Sequence, residues 1–285
     1  MDDISVSKSN HGNVVVLNIE ASSVADTSNK KEPSFSSLIS VHFLQKLIAE
    51  LVGTYYLIFA GCAAIAVNAQ HHNVVTLVGI AVVWGIVIMV LVYCLSHISA
   101  HFNPAVTLAL ASSQRFPLNQ VPAYITVQVI GSTLASATLR LLFDLNNDAC
   151  SKKHDVFLGS SPSGSDHQAF VMEFIITGFL MLVVCAITTA KRITEELEGL
   201  IIGATVTLNV IFAGEVSGAS MNPARSIGPA LVWGCYKGIW IYLLAPTLGA
   251  VSGALIHKML PSIQNAEPEF SKTGSSHKRV TDLPL

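Results

Sequence analysis

Charge is scarce in this chain. Asp, Glu, Lys and Arg make up 12% of its 285 residues, against about 25% in ordinary soluble domains. The scarcity is uneven. Fourteen of the 34 charged residues lie in 1–42 and 261–285, and only 20 in the 218 residues between. With 51% hydrophobic residues, this excludes an ordinary soluble enzyme and describes an apolar membrane-embedded core with two wet tails. A net charge of −2 argues against nucleic acid as a partner. Cysteine is sparse too. Cys62, Cys94 and Cys185 fall inside apolar stretches and read as packed thiols, while Cys150 and Cys235 fall in loops, where pairing is open but not required by their spacing. There is no CxxC, P-loop, HExxH or nucleophile–base motif, so no enzyme, catalytic residue, metal site or cofactor is expected. Residues 1–40 are polar, rich in Ser and Asn, and lack the apolar h-region of a signal peptide. No Asn-x-Ser/Thr sequon occurs.

What the chain does have is long apolar runs. A membrane-spanning helix needs about 20 mostly apolar residues, and six candidates stand out: 43–67, 74–95, 121–142, 170–189, 199–213 and 236–256. The fifth is short and leaves a re-entrant segment open. Orientation follows Lys and Arg. With both termini in the cytosol, Lys30, Lys31, Arg115, Lys191, Arg192 and Lys258 fall inside, against Lys152, Lys153 and Lys237 outside. The bias is modest but of the right sign. The domain reading is a cytosolic tail at 1–42, a membrane domain at 43–260 and a cytosolic tail at 261–285.

The membrane domain is an internal repeat, 43–144 and 168–260. Glu50-x-x-x-Thr54 precedes Asn103-Pro104-Ala105 in the first half, and Glu173-x-x-x-Thr177 precedes Asn222-Pro223-Ala224 in the second. Tyr124-x-x-x-Gln128-x-x-Gly131 matches Tyr242-x-x-x-Pro246-x-x-Gly249. Three spans per repeat is an odd number, so the second copy enters the membrane inverted. Inverted repeats place a pathway at their interface near the bilayer midplane. Gly131-x-x-x-Ala135 and Gly249-x-x-x-Gly253 read as close helix packing.

Each Asn-Pro-Ala precedes a short apolar run. Asn is a good N-cap and Pro suits the first helical turn, so each triplet reads as the start of a half-helix dipping into the membrane. Irregular backbone at that depth is tolerated only where it is protein-buried or lines a wet cavity. Two half-helices meeting head to head aim two N-termini, each worth roughly +0.5 charge, at the midplane. Such a junction repels cations and protons, while the Asn amides donate to a passing oxygen.

Three stretches carry a family resemblance: Ala49-Glu50-Leu51-Val52-Gly53-Thr54; His97-Ile98-Ser99 leading to His101-Phe102-Asn103-Pro104-Ala105-Val106-Thr107; and Gly218-Ala219-Ser220-Met221-Asn222-Pro223-Ala224-Arg225-Ser226. Together the chain resembles the major intrinsic proteins, the aquaporins and glycerol facilitators, and most of all the plant nodulin-26-like intrinsic proteins. The resemblance implies an all-α membrane fold of six helices and two re-entrant half-helices, assembled as a homotetramer with one pore per subunit in the lipid bilayer of the plasma membrane or an endomembrane.

By position, the resemblance puts the family's selectivity filter on Trp84, Val210, Ala219 and Arg225. Arg225 occupies the slot that Val106 holds in the first repeat, and an intramembrane charge is a functional candidate in its own right. The ring is wide and apolar with one donor, which suits a polyol whose carbons face one side and hydroxyls the other. Glycerol, water, boric acid, urea, arsenous acid and lactic acid are the permeants of that size class. Glu50 and Glu173 read either as a proton relay or as buried acceptors for loop N–H groups, and the resemblance implies the second. His97 and His101 are spaced like a helical metal pair, but no third ligand accompanies them. The setting of Ser275, after Phe270 and Lys272, resembles a calcium-dependent kinase site.

Two departures from the family pattern bear on conduction. The loop before Asn103 is one residue short, with a Gly missing, which is expected to rotate or strain it. Glu215 stands where Pro is usual, and an acid there is expected to narrow the filter by pairing with Arg225. The functional expectation is a passive channel for small uncharged solutes and water. A coupled transporter working through Glu50 and Glu173, or a non-conducting homologue, are the alternatives.

Overall fold

The computed structural model describes residues 40–145, 157–189 and 195–260. Cys150 and Ser275 lie outside the described residues, as do most of both tails. Eight α-helices run through the described residues: α1 Val41–Gln70, α2 Thr76–Leu95, α3 Pro104–Ser112, α4 Val121–Leu142, α5 Asp166–Thr189, α6 Glu198–Ser217, α7 Pro223–Trp233 and α8 Ile239–Met259. All but α3 and α7 are long and apolar enough to cross a membrane. Six crossings bring Val41 and Met259 to the same face, called here the terminal face; the opposite one is the far face.

Local chemistry sets the ends of these helices. Ser40 Oγ accepts from Phe43 N at 3.2 Å and caps α1. Asn68 Oδ1 accepts from Val75 N and Thr76 N at 3.1 and 2.8 Å, tying the start of α2 to the end of α1. Gly218, at φ +80°, closes α6 in the left-handed region that favours glycine.

The fifth span extends the sequence reading. The re-entrant alternative falls away: the expected fifth crossing is present but longer than 199–213, 20 residues from Glu198 to Ser217. Gly214 and Glu215 are simply its last turn, where the exposed Glu215 reaches the membrane surface. The fourth span likewise starts earlier, at Asp166. Cys62 and Cys185 are buried, but Cys94 is exposed. In a membrane helix an apolar neighbourhood does not imply an inward position, because the outer faces are apolar as well. Cys235 is disulfide-bonded.

The two repeats are interlocked. Within each, the first and third spans pair, α1 on α4 and α5 on α8, while α2 and α6 pack across the repeat boundary. Each half-helix packs mainly on the third span of the other repeat, α3 on α8 and α7 on α4. Ser132 Oγ on α4 donates to Ala224 O on α7 at 2.6 Å. Backbones approach closely at the small residues: a Cβ on Gly131 would lie 2.6 Å from Leu51 O, and a Cβ on Gly249 or Gly253 would collide with the carbonyl oxygen of Phe174 or Gly178. Val52, Ile86, Leu134, Ile175, Leu208 and Leu248 face outward. An exposed apolar surface of this extent belongs against lipid or another protein.

The α5–α8 contact makes a sharp prediction. Gly249→Val is expected to lower the thermal midpoint of the detergent-solubilised protein by about 5–10 °C, the size of an overpacked core contact. Leu248→Ala, on the outward face, should shift it little. Equal midpoints for the two variants would contradict the packing described.

Candidate functional site

Two asparagines organise the centre. Asn103 and Asn222 hold extended backbone, at φ −157° and −150°, and each caps the half-helix that follows. Asn103 Oδ1 accepts from Ala105 N at 2.9 Å. Asn222 Oδ1 accepts from Ala224 N at 2.9 Å and Arg225 N at 3.4 Å. Pro104 and Pro223 follow at the first helical position, where the absent N–H costs nothing. Capping turns each amide so that its NH2 points away from its own helix. Asn103 Nδ2 then donates to Met221 O, and Asn222 Nδ2 to Phe102 O, both at 2.8 Å. The two half-helices therefore meet N-terminus to N-terminus through crossed amides, and each amide keeps a second N–H. Both dipoles point at this junction and make it positive.

The loops leading into the junction hang on two fully buried carboxylates. Glu50 Oε1 accepts from Ser99 Oγ at 2.6 Å and His101 N at 2.7 Å; Oε2 accepts from Phe102 N at 2.7 Å and Gln128 Nε2 at 2.8 Å. Glu173 Oε1 accepts from Ser217 Oγ at 2.7 Å and Ser220 N at 2.8 Å; Oε2 accepts from Met221 N at 2.8 Å. Backbone N–H groups at membrane depth have no water to turn to, so these acceptors are what the loops require. Pro246 occupies the place of Gln128 in the second repeat and supplies no donor. Tyr242 instead donates to Ser217 O at 2.6 Å.

The short first loop is not a disrupted one. Ser99 and Ser217 play the same part, yet Ser99 stands one residue nearer its Asn. The residue without a counterpart is Gly218. The shorter loop still delivers two N–H groups and a hydroxyl to Glu50, with Phe102 at φ +50° matching Met221 at +53°. The expected pairing of Glu215 with Arg225 is also corrected. Glu215 is exposed at the end of α6, while Arg225 is buried, and no ion pair joins the two. Arg225 NH1 donates to Leu158 O at 3.0 Å, and its guanidinium carbon sits 5.3 Å from the centroid of the Trp84 ring, within reach of a cation–π attraction.

Two cavities meet at the asparagines, and both are lined by Leu57, Ile88, Leu180 and Val206 as well as Asn103 and Asn222. The one toward the terminal face, about 310 Å³, takes in Lys46, the loop 98–102 and Val106. The one toward the far face, about 50 Å³, brings together Trp84, Val210, Ala219 and Arg225. A water needs about 10–15 Å³ on such a measure, so this is a constriction with room for a few water-sized positions. Neither Glu50 nor Glu173 lines either of these two cavities. His101 Nδ1 lies 3.1 Å from Thr107 Oγ1, and its ring packs edge-on against Phe116. His97 is exposed.

The sequence reading did not single out the four apolar residues shared by both cavities, which look like any other residues of an apolar span. It also missed Leu158, whose contribution is a backbone carbonyl and carries no side-chain signal. Asn209 was missed as well, although an amide inside an apolar run is a visible cue.

Two facing half-helices inside six crossing helices, with a cavity on either side of their junction, define a membrane channel. The Major intrinsic protein family model matches residues 37–257, and the chain belongs to that family. It is 93% identical to Aquaporin NIP2-1 of Arabidopsis thaliana over the whole of both chains. Nodulin-26 of Glycine max is 56% identical, over 84% of this chain and 86% of that one. The solved aquaglyceroporin of Plasmodium falciparum, 24% identical, superposes with a TM-score of 0.64 over 76% of this chain and 96% of its own, showing the aquaporin fold. The protein is a multi-pass integral membrane protein, a passive channel for water and small solutes and not an enzyme.

The carboxylate sockets predict a stability effect. In Glu50→Gln or Glu173→Gln the new NH2 confronts a backbone N–H, and each variant is expected to lose about 1.5–3 kcal/mol, read as a lower thermal midpoint. A midpoint unchanged from wild type would mean that the loops do not depend on these acceptors.

Proposed function

We propose that the channel passes small uncharged polyols, glycerol and molecules of its class, with water as a secondary permeant, and excludes ions and protons. The observation that carries this reading is the lining of the far-face constriction. Trp84, Val210 and Ala219 offer apolar surface to a carbon chain, and Arg225 offers donors to its hydroxyls. Urea and boric, arsenous and lactic acids share the size class and fall within the same reading.

Selectivity against cations rests on two positive features in series, Arg225 and the paired helix N-termini beyond it. A passive mechanism is favoured over coupling to protons because Glu50 and Glu173 are engaged by loop donors and stand off the pathway. The shortened loop and Glu215 leave the pathway open in this reading, since the first is anchored at Glu50 and the second is exposed at the end of α6 and outside the constriction lining. We take 43–260 as the channel domain, built of 43–144 and 168–260, with 1–42 and 261–285 as cytosolic tails. We also propose a homotetramer in the plasma membrane or an endomembrane, with Ser275 as a kinase substrate. The excess of Lys and Arg assigned to the terminal face supports the orientation.

Stopped-flow light scattering on proteoliposomes tests the central claim. Glycerol permeability well above that of empty liposomes, with modest water permeability, is the expected result. No flux of either from a folded protein would overturn it. Arg225→Val, which copies the first repeat's Val106, is expected to raise proton leak about tenfold or more while leaving solute flux measurable. An unchanged leak would remove Arg225 from the barrier.

A further inference from the structure

We infer that Asn209 is a positioning residue of the pore: it holds the Met221 side chain, and through it the backbone carbonyl that orients the Asn103 amide. The two loops present the same backbone geometry at Phe102 and Met221, yet the side chains at these positions differ in kind. Phe102 is a rigid ring, 1% exposed, seated where Gly53 has no side chain; a Cβ there would collide with the ring. Packing alone fixes it. Met221 has three rotatable side-chain bonds and adapts to its surroundings, so packing fixes it less well. The structure supplies a hydrogen bond instead.

Asn209 is fully buried on α6, next to the constriction residue Val210. Its Nδ2 donates to Ile176 O on α5 at 3.0 Å and to Met221 Sδ at 3.2 Å. A carbonyl only accepts, so the Ile176 bond settles which end of the amide is nitrogen, and the second N–H is left for the sulfur. Asn209 Oδ1 has no partner among the described residues. A buried polar atom without a partner opposes folding. Leucine has a similar volume and leaves no buried polar atom to satisfy, so the exchange is expected to cost little stability. What the amide does achieve is a tether from α5 and α6 to the side chain of Met221, a loop residue of the constriction. Met221 O receives Asn103 Nδ2, so motion at Met221 passes directly to the central amide of the other repeat.

A polyol needs several donors and acceptors in register at once, whereas water adjusts to each in turn. Loosening Met221 should therefore slow glycerol more than water. The inference rests on the channel reading above. Its test is a double-mutant cycle of Asn209→Leu, Met221→Leu and the pair, in proteoliposomes, with thermal midpoints measured alongside. Each single variant is expected to keep its midpoint within a few degrees of wild type. Each should lower the glycerol-to-water permeability ratio by about threefold to tenfold, the rate equivalent of one hydrogen bond. The pair should be no worse than either single, because both remove the same contact. An unchanged ratio in a folded Asn209→Leu protein, or additive losses in the pair, would overturn the assignment. Should Asn209→Leu fail to fold, Met221→Leu decides alone: a lowered ratio supports the tether and an unchanged ratio refutes it. Absence of flux through the wild type would overturn the channel reading first, and this inference with it.

Discussion

Two loops leave helical structure in the middle of a membrane-spanning bundle, and every backbone N–H they expose there must find an acceptor inside the protein. Glu50 and Glu173 meet that demand, each from the first span of its own repeat. Most of the site follows from them. With the loops anchored, Asn103 and Asn222 take extended backbone, cap their half-helices and cross their amides. With the half-helices fixed, Arg225 comes to lie in the first turn of α7, against Leu158 O and the Trp84 ring. A carboxylate that carried protons through a transport cycle would have to change partners. These are held by three or four donors apiece, which suits a scaffold and not a carrier.

The repeats are alike in scaffold and different where the permeant passes. Arg225 stands opposite Val106, Gln128 opposite Pro246, Met221 opposite Phe102, and Gly218 opposite no residue at all. The first difference places a buried positive charge in the far-face constriction, where the first repeat has an apolar side chain. The second gives Glu50 a donor that Glu173 lacks. The third replaces a packed ring with a flexible side chain that needs Asn209. Duplication supplies the symmetric junction, and the departures from symmetry give it direction and selectivity. A strictly symmetric pore would present the same barrier from either side and no single filter.

Much of the fold was legible because the bilayer imposes simple rules. A span must be long and apolar, and an odd number of spans inverts a repeat. The length of α6 was underestimated because the apolar run stops before Gly214 and Glu215, which form the last turn of the helix. Cys94 was misjudged for a related reason: apolar sequence marks membrane depth but not the direction a side chain faces. The departures near Asn103 and Glu215 were visible as deviations, but their consequences were not. Whether a missing residue strains a loop depends on what the remaining N–H groups can reach.

The sequence by itself determined the number of spans, the inverted repeat, the half-helix starts at Asn103 and Asn222, and the presence of one intramembrane arginine. These follow from local chemistry, apolar run length and capping preference, each readable within a few turns of chain. Only the tertiary structure decided that each half-helix rests on the other repeat's third span, that the amides cross, that Arg225 meets Leu158 O and the Trp84 ring, and that Asn209 reaches Met221. Each of these joins residues far apart in the chain, at least twelve positions for the nearest pair, and depends on which faces of apolar helices meet. The helices are apolar on nearly all sides, so their pattern leaves that choice open, and small residues and buried hydrogen bonds make it.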